Sequence, residues 1–253
     1  MKKVLILSNH FDYDRMITYD AGPGYARGME WESAYLRDLD HQGDAITIID
    51  NRLTEEECFQ MEAAILHQQH RCFVLKIVDP YREECSSHWY YKFLFRVGAL
   101  PNVLFLSPYQ PTELVHDLDE MTSRRKLIVI PYPFQERFAI QPSMAHRRHQ
   151  IIFSGNDGRN LYPERVKFLR RVRRHPLLRW TTQVLRHPGY PDVGHTPVHH
   201  LIGPRYIQHL SQFRFMFLSP SRCGLEFLKY SECAYARCVP VGVPPNSFSI
   251  NQK

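Results

Sequence analysis

KVLILS, residues 3–8, is a continuous apolar run behind Lys2 and Lys3, and AITIID, residues 45–50, repeats the pattern. Both are short and partly β-branched, as a strand buried on both faces of a parallel sheet must be. Between them lie a polar, glycine-containing stretch, Asn9–Gly28, and a second segment, Met29–Gln42. In that second segment Trp31, Ala34, Tyr35 and Leu39 fall at helical spacing, which predicts a helix. Gly43 follows as a C-terminal cap. Strand, loop, helix and strand make a βαβ unit, with its loop directly after the first strand.

The alternation continues beyond residue 50. Thr54 with Glu57 three residues on is a capping box that starts a helix. Cys72–Val78, Val103–Leu106 and Leu127–Ile130 read as strands, and Trp89–Val97 as a helix. From 131 to 149 three prolines and the basic cluster His146-Arg147-Arg148-His149 read as a linker. A second series follows. Gln150–Ser154, Trp180–Leu185, Phe213–Leu218 and Val239–Val243 are expected strands. Pro163–Arg174, Pro204–Gln212 and Leu225–Ala236 are expected helices. The expected fold class is α/β, with two Rossmann-like lobes built on parallel sheets. Residues 1–135 form the first lobe and residues 149–253 the second.

The 253 residues carry a formal net charge of +6, unevenly spread. Residues 1–130 hold 14 Lys and Arg against 20 Asp and Glu; residues 131–253 hold 18 against 6. A basic half suits an anionic ligand or an anionic surface. The helix Pro163–Arg174, with Arg165, Lys167, Arg170, Arg171, Arg173 and Arg174, is its densest part. A solvated helix face is what such a charge run gives by itself; peripheral contact with a membrane surface is the functional expectation there. Nucleic acid is the weaker choice, because no aromatic stacking platform accompanies the charge. No secretory signal and no run of apolar residues of membrane-spanning length is visible, so a cytoplasmic location is expected. The six scattered cysteines form no Cys-x-x-Cys pair and read as free thiols.

Several chemistries lack their motifs. After the first strand the chain reads SNHFDYDRM rather than Gly-x-Gly-x-x-Gly, and no Gly-Lys-Ser/Thr phosphate loop occurs. Gly22, Gly24 and Gly28, in DAGPGYARG, read as a turn just before a helix, where backbone N–H groups gather. His195, His199 and His200 with Cys223 lack the spacing of a zinc site and read as surface residues. In the second lobe the strand ending at Ser154 runs into Gly155 and Asn156, with Arg159 and Arg165 beyond. Glycine permits close backbone approach, and arginine forks onto phosphate oxygens. Arg186, after the next strand, has the same position. The last segment, SPSRCGLEFLKYSECAYARCVPVGV, places Arg222 on a loop and Lys229 and Glu232 on a helix.

That segment, Ser219–Val243, resembles the donor site of GT-B glycosyltransferases, especially exostosin-like and spore-maturation-type relatives. Their Glu-x-x-Ala-x-Gly-x-x-Pro-Val stretch stands here as Glu232-Cys233-Ala234-Tyr235-Ala236-Arg237-Cys238-Val239-Pro240-Val241. Gly224 occupies the place of a second family glutamate, with Glu226 two residues on, and the chain ends sooner after Val243 than the family does. The resemblance implies transfer of a sugar from a nucleotide-diphosphate donor to a hydroxyl acceptor. It implies a donor held by Gly155, Asn156, Arg159, Arg165, Arg186, Arg222 and Lys229, with Glu232 on ribose or sugar hydroxyls. Cations and helix N-termini then replace a metal, so no cofactor is expected. His10 and Asp12, just after the first strand, are the expected general bases for the acceptor hydroxyl. The alternative is a non-catalytic or shortened relative that keeps the fold.

Overall fold

The computed structural model describes residues 2–13, 22–77, 88–108, 126–130, 138, 146–156, 162–187, 201, 203–221, 224 and 228–245. The chain divides into two compact units, Met1–Phe134 and Gln135–Lys253.

The first unit is built on a six-stranded sheet of order β2-β1-β3-β4-β5-β6. Its strands are β1 (Lys3–Leu7), β2 (Glu32–Tyr35), β3 (Ile46–Ile49), β4 (Phe73–Lys76), β5 (Val103–Ser107) and β6 (Leu127–Val129). Every pairing is parallel. Val4, Leu5, Ile6 and Leu7 are buried, which is why β1 reads as an unbroken apolar run. Tyr25 and Ala26 of α1 (Gly22–Gly28) cover Leu5, Leu7, Ile48, Val74 and Leu106. Helices α2 (Glu55–His67) and α3 (Trp89–Val97) pack beside each other. The capping box on α2 forms in full: Thr54 Oγ1 accepts from Glu57 N, and Glu57 accepts from Thr54 N.

The helix expected over Met29–Gln42 does not form. Instead α1 ends at Gly28, Glu30 turns with φ +57, and β2 follows, succeeded by a 3-10 helix over Leu36–Gln42. The open side of β1 takes a parallel strand, with Val4 opposite Glu32 and Leu7 opposite Tyr35. As the sheet's edge, β2 is largely exposed and so lacks the apolar signature of a buried strand. Gly43 does cap, but it caps the 3-10 helix, at φ +57. The glycines of DAGPGYARG lie within α1 rather than in a turn before it. Gly22 sits at φ +56 against the Tyr13 ring, where a Cβ would meet Tyr13 Cδ1 at 2.2 Å.

The second unit holds a four-stranded parallel sheet of order β10-β9-β7-β8. Its strands are β7 (Arg148–Gly155), β8 (Thr182–Arg186), β9 (Phe213–Leu218) and β10 (Val239–Gly242). Its helices are α4 (Pro163–Arg174), α5 (Pro176–Thr181), α6 (Gly203–Leu210) and α7 (Leu228–Tyr235). Phe153, Leu169 and Phe217 form a buried cluster, and the rings of Phe168 and Phe217 stack with centroids 3.9 Å apart. Trp180, expected on a strand, ends up in α5, because Pro176 at the first helical position starts a turn of helix there. The 146–149 cluster is not a solvated linker. Arg148 and His149 belong to β7, and Arg147 is buried with its guanidinium on four backbone carbonyls.

Cys58, Cys72, Cys233 and Cys238 are free thiols; Cys85 and Cys223 lie outside the described residues. Burial pushes Cys58 and Cys233 up to about 12 and Cys238 to about 11, from an ordinary 9.0. The unfolded chain therefore releases these protons at lower pH than the folded one. Their contribution to stability is full below the ordinary value and is lost as pH rises through the folded values. The urea midpoint is expected to fall steadily above about pH 9, while alkylation of all three thiols stays slow until unfolding. Rapid alkylation of native protein at neutral pH would contradict this.

Candidate functional site at the carboxyl edge of the second sheet

From β7 the chain passes through α4 and α5 to β8 on one side, then through α6 to β9 on the other. This reversal leaves a crevice at the carboxyl end of β7, the place where open parallel sheets take ligands. The sequence fills that end with Ser154, Gly155 and Asn156. Gly155 has φ +116, a conformation that side chains rarely adopt. A Cβ there would stand 2.9 Å from Arg165 Nη1 and 3.3 Å from Lys229 Cε. Glycine thus lets two cations close over the strand end.

Arg165 comes from the first turn of α4 and is buried. Its Nη1 donates to the Asn156 carbonyl at 3.0 Å, and its guanidinium lies 4.3 Å from the centroid of the Tyr162 ring. Burial disfavours its charge and lowers its pKa, with Tyr162, Tyr206 and Glu232 acting the other way. Lys229 and Glu232, one turn apart on α7, form an ion pair of 2.7 Å between Nζ and Oε2. Lys229 Nζ also donates to Tyr206 Oη at 2.9 Å, and Tyr206 donates to Ser154 Oγ at 2.7 Å. Burial alone lowers the Lys229 pKa; the Glu232 carboxylate and Tyr206 more than offset it, so the ammonium is held above its ordinary value. Its charge persists across the neutral range. Among the described residues Lys229 Nζ thus has Tyr206 as a hydrogen-bond partner and the Glu232 carboxylate as its counter-charge, and Glu232 carries a second oxygen, Oε1.

Of the residues expected in the second unit, Gly155, Asn156, Arg165, Lys229 and Glu232 come together. Arg186 lies at the same edge, its backbone paired with Gly155 across β7 and β8, with its side chain exposed. Arg159 and Arg222 lie outside the described residues, as do His195, His199, His200 and Cys223. Tyr206 and Ser154 were not anticipated; no motif marks them, and only the topology brings α6 onto β7.

In the first unit, His10 and Asp12 follow β1 as expected and are exposed. His10 N donates to Ser8 Oγ at 3.1 Å, and its side chain borders a shallow depression with Thr54, Glu55, Glu56 and Phe59. The edge of this sheet also holds a buried network that sequence reasoning missed. Glu57 accepts from Ser8 Oγ at 2.6 Å and from Asn9 N at 2.6 Å, which ties the loop after β1 to α2. Tyr13 donates to Asp50 Oδ2 at 3.0 Å, and Lys76 Nζ lies 3.8 Å from Asp50 Oδ1 and 4.1 Å from the Tyr25 ring. A signal existed: a lysine inside the apolar run CFVLKIV must find a buried carboxylate.

Two α/β units on parallel sheets, each with polar side chains gathered at its carboxyl edge, define the class of this protein. A scan against known protein families finds no match, and neither does a search of curated proteins. Among the described residues no three His, Cys, Asp or Glu stand together to hold a metal ion, and no helix is long and apolar enough to cross a membrane.

Proposed function

We propose that the chain is a glycosyltransferase of GT-B type that takes its sugar from a nucleotide-diphosphate donor. One observation carries the reading: Arg165 and Lys229 close over Gly155 at the reversal point of the second sheet, with Glu232 paired to Lys229. Two cations against one carboxylate leave a net positive site, suited to a diphosphate. Arg165 is the fork for phosphate oxygens. Lys229 supplies an ammonium N–H to a phosphate oxygen and holds Glu232 in place. Glu232 Oε1 accepts from a ribose or sugar hydroxyl. As the bond to the anomeric carbon breaks, charge grows on the departing diphosphate, and cations already fixed by Tyr162, Tyr206 and Asn156 stabilise it without reorganising. His10 or Asp12 is the base that takes the acceptor proton.

A second reading, donor binding without transfer, is favoured by Gly224, which at φ +77 stands where the resemblance places a second glutamate. Turnover separates the two. Incubation of the full chain with UDP-, GDP- and ADP-sugars is expected to release nucleoside diphosphate from one donor class, slowly to water and faster with a hydroxyl acceptor. Binding of a donor with no release by either route would leave only the second reading.

A further inference from the structure

We infer that α4 and α5 form a docking surface for a membrane that carries anionic lipids. The observation that decides it is in α5. Leu177 is 78 % exposed and Trp180 is 85 % exposed. They stand three residues apart, on one face of a helix that buries no residue of its own. Side by side, two large apolar side chains this exposed form a patch whose removal from water is favourable. Around them the charge is of one sign. On α4 the buried stripe is Arg165, Leu169 and Val172, and the exposed side opposite carries Lys167, Arg170, Arg171 and Arg174. From residue 165 to residue 187 the sequence contains no Asp or Glu. Glu164, the one acid on α4, is paired to Lys167 at 2.6 Å.

Apolar anchors beside a dense basic face are what an anionic bilayer surface recognises. Trp favours the headgroup boundary, and Leu enters the acyl region just below it. Each basic residue held near an anionic surface strengthens partitioning by about fivefold. The sequence expectation that no aromatic accompanies this charge is corrected by Trp180, on which a base would stack; nucleic acid would engage the arginines and Trp180 but has no place for an exposed Leu177. Leu177 and Trp180 lie on the helix that leads into the amino end of the edge strand β8, whereas Gly155 stands at the carboxyl end of β7, so the membrane surface and the nucleotide-sugar site stand or fall separately.

The test is co-sedimentation of the full chain with vesicles of phosphatidylcholine alone or mixed with phosphatidylserine. Binding is expected only to the mixed vesicles, weakening as salt rises. It should come with a blue shift of tryptophan emission that is absent in Trp180→Ser. The double variant Leu177→Ser/Trp180→Ser is expected to lose binding at least tenfold while its circular dichroism stays unchanged, since neither side chain packs inside the fold. Arg170→Glu/Arg174→Glu is expected to lose it as well. Absence of binding to the mixed vesicles would overturn the inference. So would full retention by the Leu177/Trp180 variant, or binding to an oligonucleotide with none to vesicles.

Discussion

Arg147→Met is expected to destabilise the second unit by about 4 kcal/mol, because it leaves several buried carbonyl groups without a donor. Arg147 Nε donates to Ser211 O at 2.8 Å, Nη1 to Arg237 O at 2.6 Å and Nη2 to Ala236 O at 3.0 Å and to Phe213 O. These carbonyls belong to two places. Ser211 and Phe213 stand at the entry to β9, and Ala236 and Arg237 stand just past the end of α7, where Arg237 takes φ +53. A single guanidinium thus fastens the helix that carries Lys229 and Glu232 to the sheet. Its charge also lies at the negative end of that helix. Methionine keeps the length of the side chain and removes every donor. Arg147→Lys should recover only part of the loss, since a compact ammonium cannot reach carbonyls spread across a planar fork. Urea unfolding of the full chain, followed by circular dichroism and by amide exchange in β7 and β9, measures the effect. A shift below about 1 kcal/mol would show that the carbonyls find other partners.

The second large effect concerns the ligand. Arg165→Met is expected to weaken nucleoside diphosphate binding by about two orders of magnitude, the scale of losing a charge-assisted fork on phosphate. Arg165→Lys should not restore it, because lysine offers a point charge where the site holds a plane over Tyr162. Glu232 answers differently. Glu232→Gln is expected to spare the nucleoside diphosphate and to weaken the intact sugar nucleotide or its ribose, whose hydroxyls it accepts. Glu232→Ala is a poorer probe, since it strands the Lys229 ammonium without its carboxylate and costs stability as well. Equal binding of diphosphate by wild type and Arg165→Met would remove Arg165 from the site.

Much of the fold is legible in the sequence because a parallel sheet buries both faces of its inner strands. β1, β3, β5 and β9 announce themselves as short apolar runs, and α2 by its capping box. β2 does not, because an edge strand keeps polar side chains in water, and its Ala34 and Tyr35, with Trp31 just before it, also fit a helical period. The site is half legible. Gly155-Asn156 at a strand end and Lys229 with Glu232 on one helix face can be read directly. That Arg165 alone among the cations of α4 turns inward cannot be read without the packing of Leu169 and Val172, which sets the buried stripe. Tyr206 is recruited by the crossover of α6 and carries no local signal. Arg147 has the opposite history: a basic cluster among prolines looks solvated, and only the tertiary fold shows carbonyls waiting for it.

The most direct test of the central claim is calorimetric titration of UDP, GDP and ADP into the full chain and into Arg165→Met. One of the three is expected to bind the wild-type chain at a single site, and the Arg165→Met variant, still folded, is expected to lose that binding. No binding by any of the three, or the same affinity in both proteins, would contradict it.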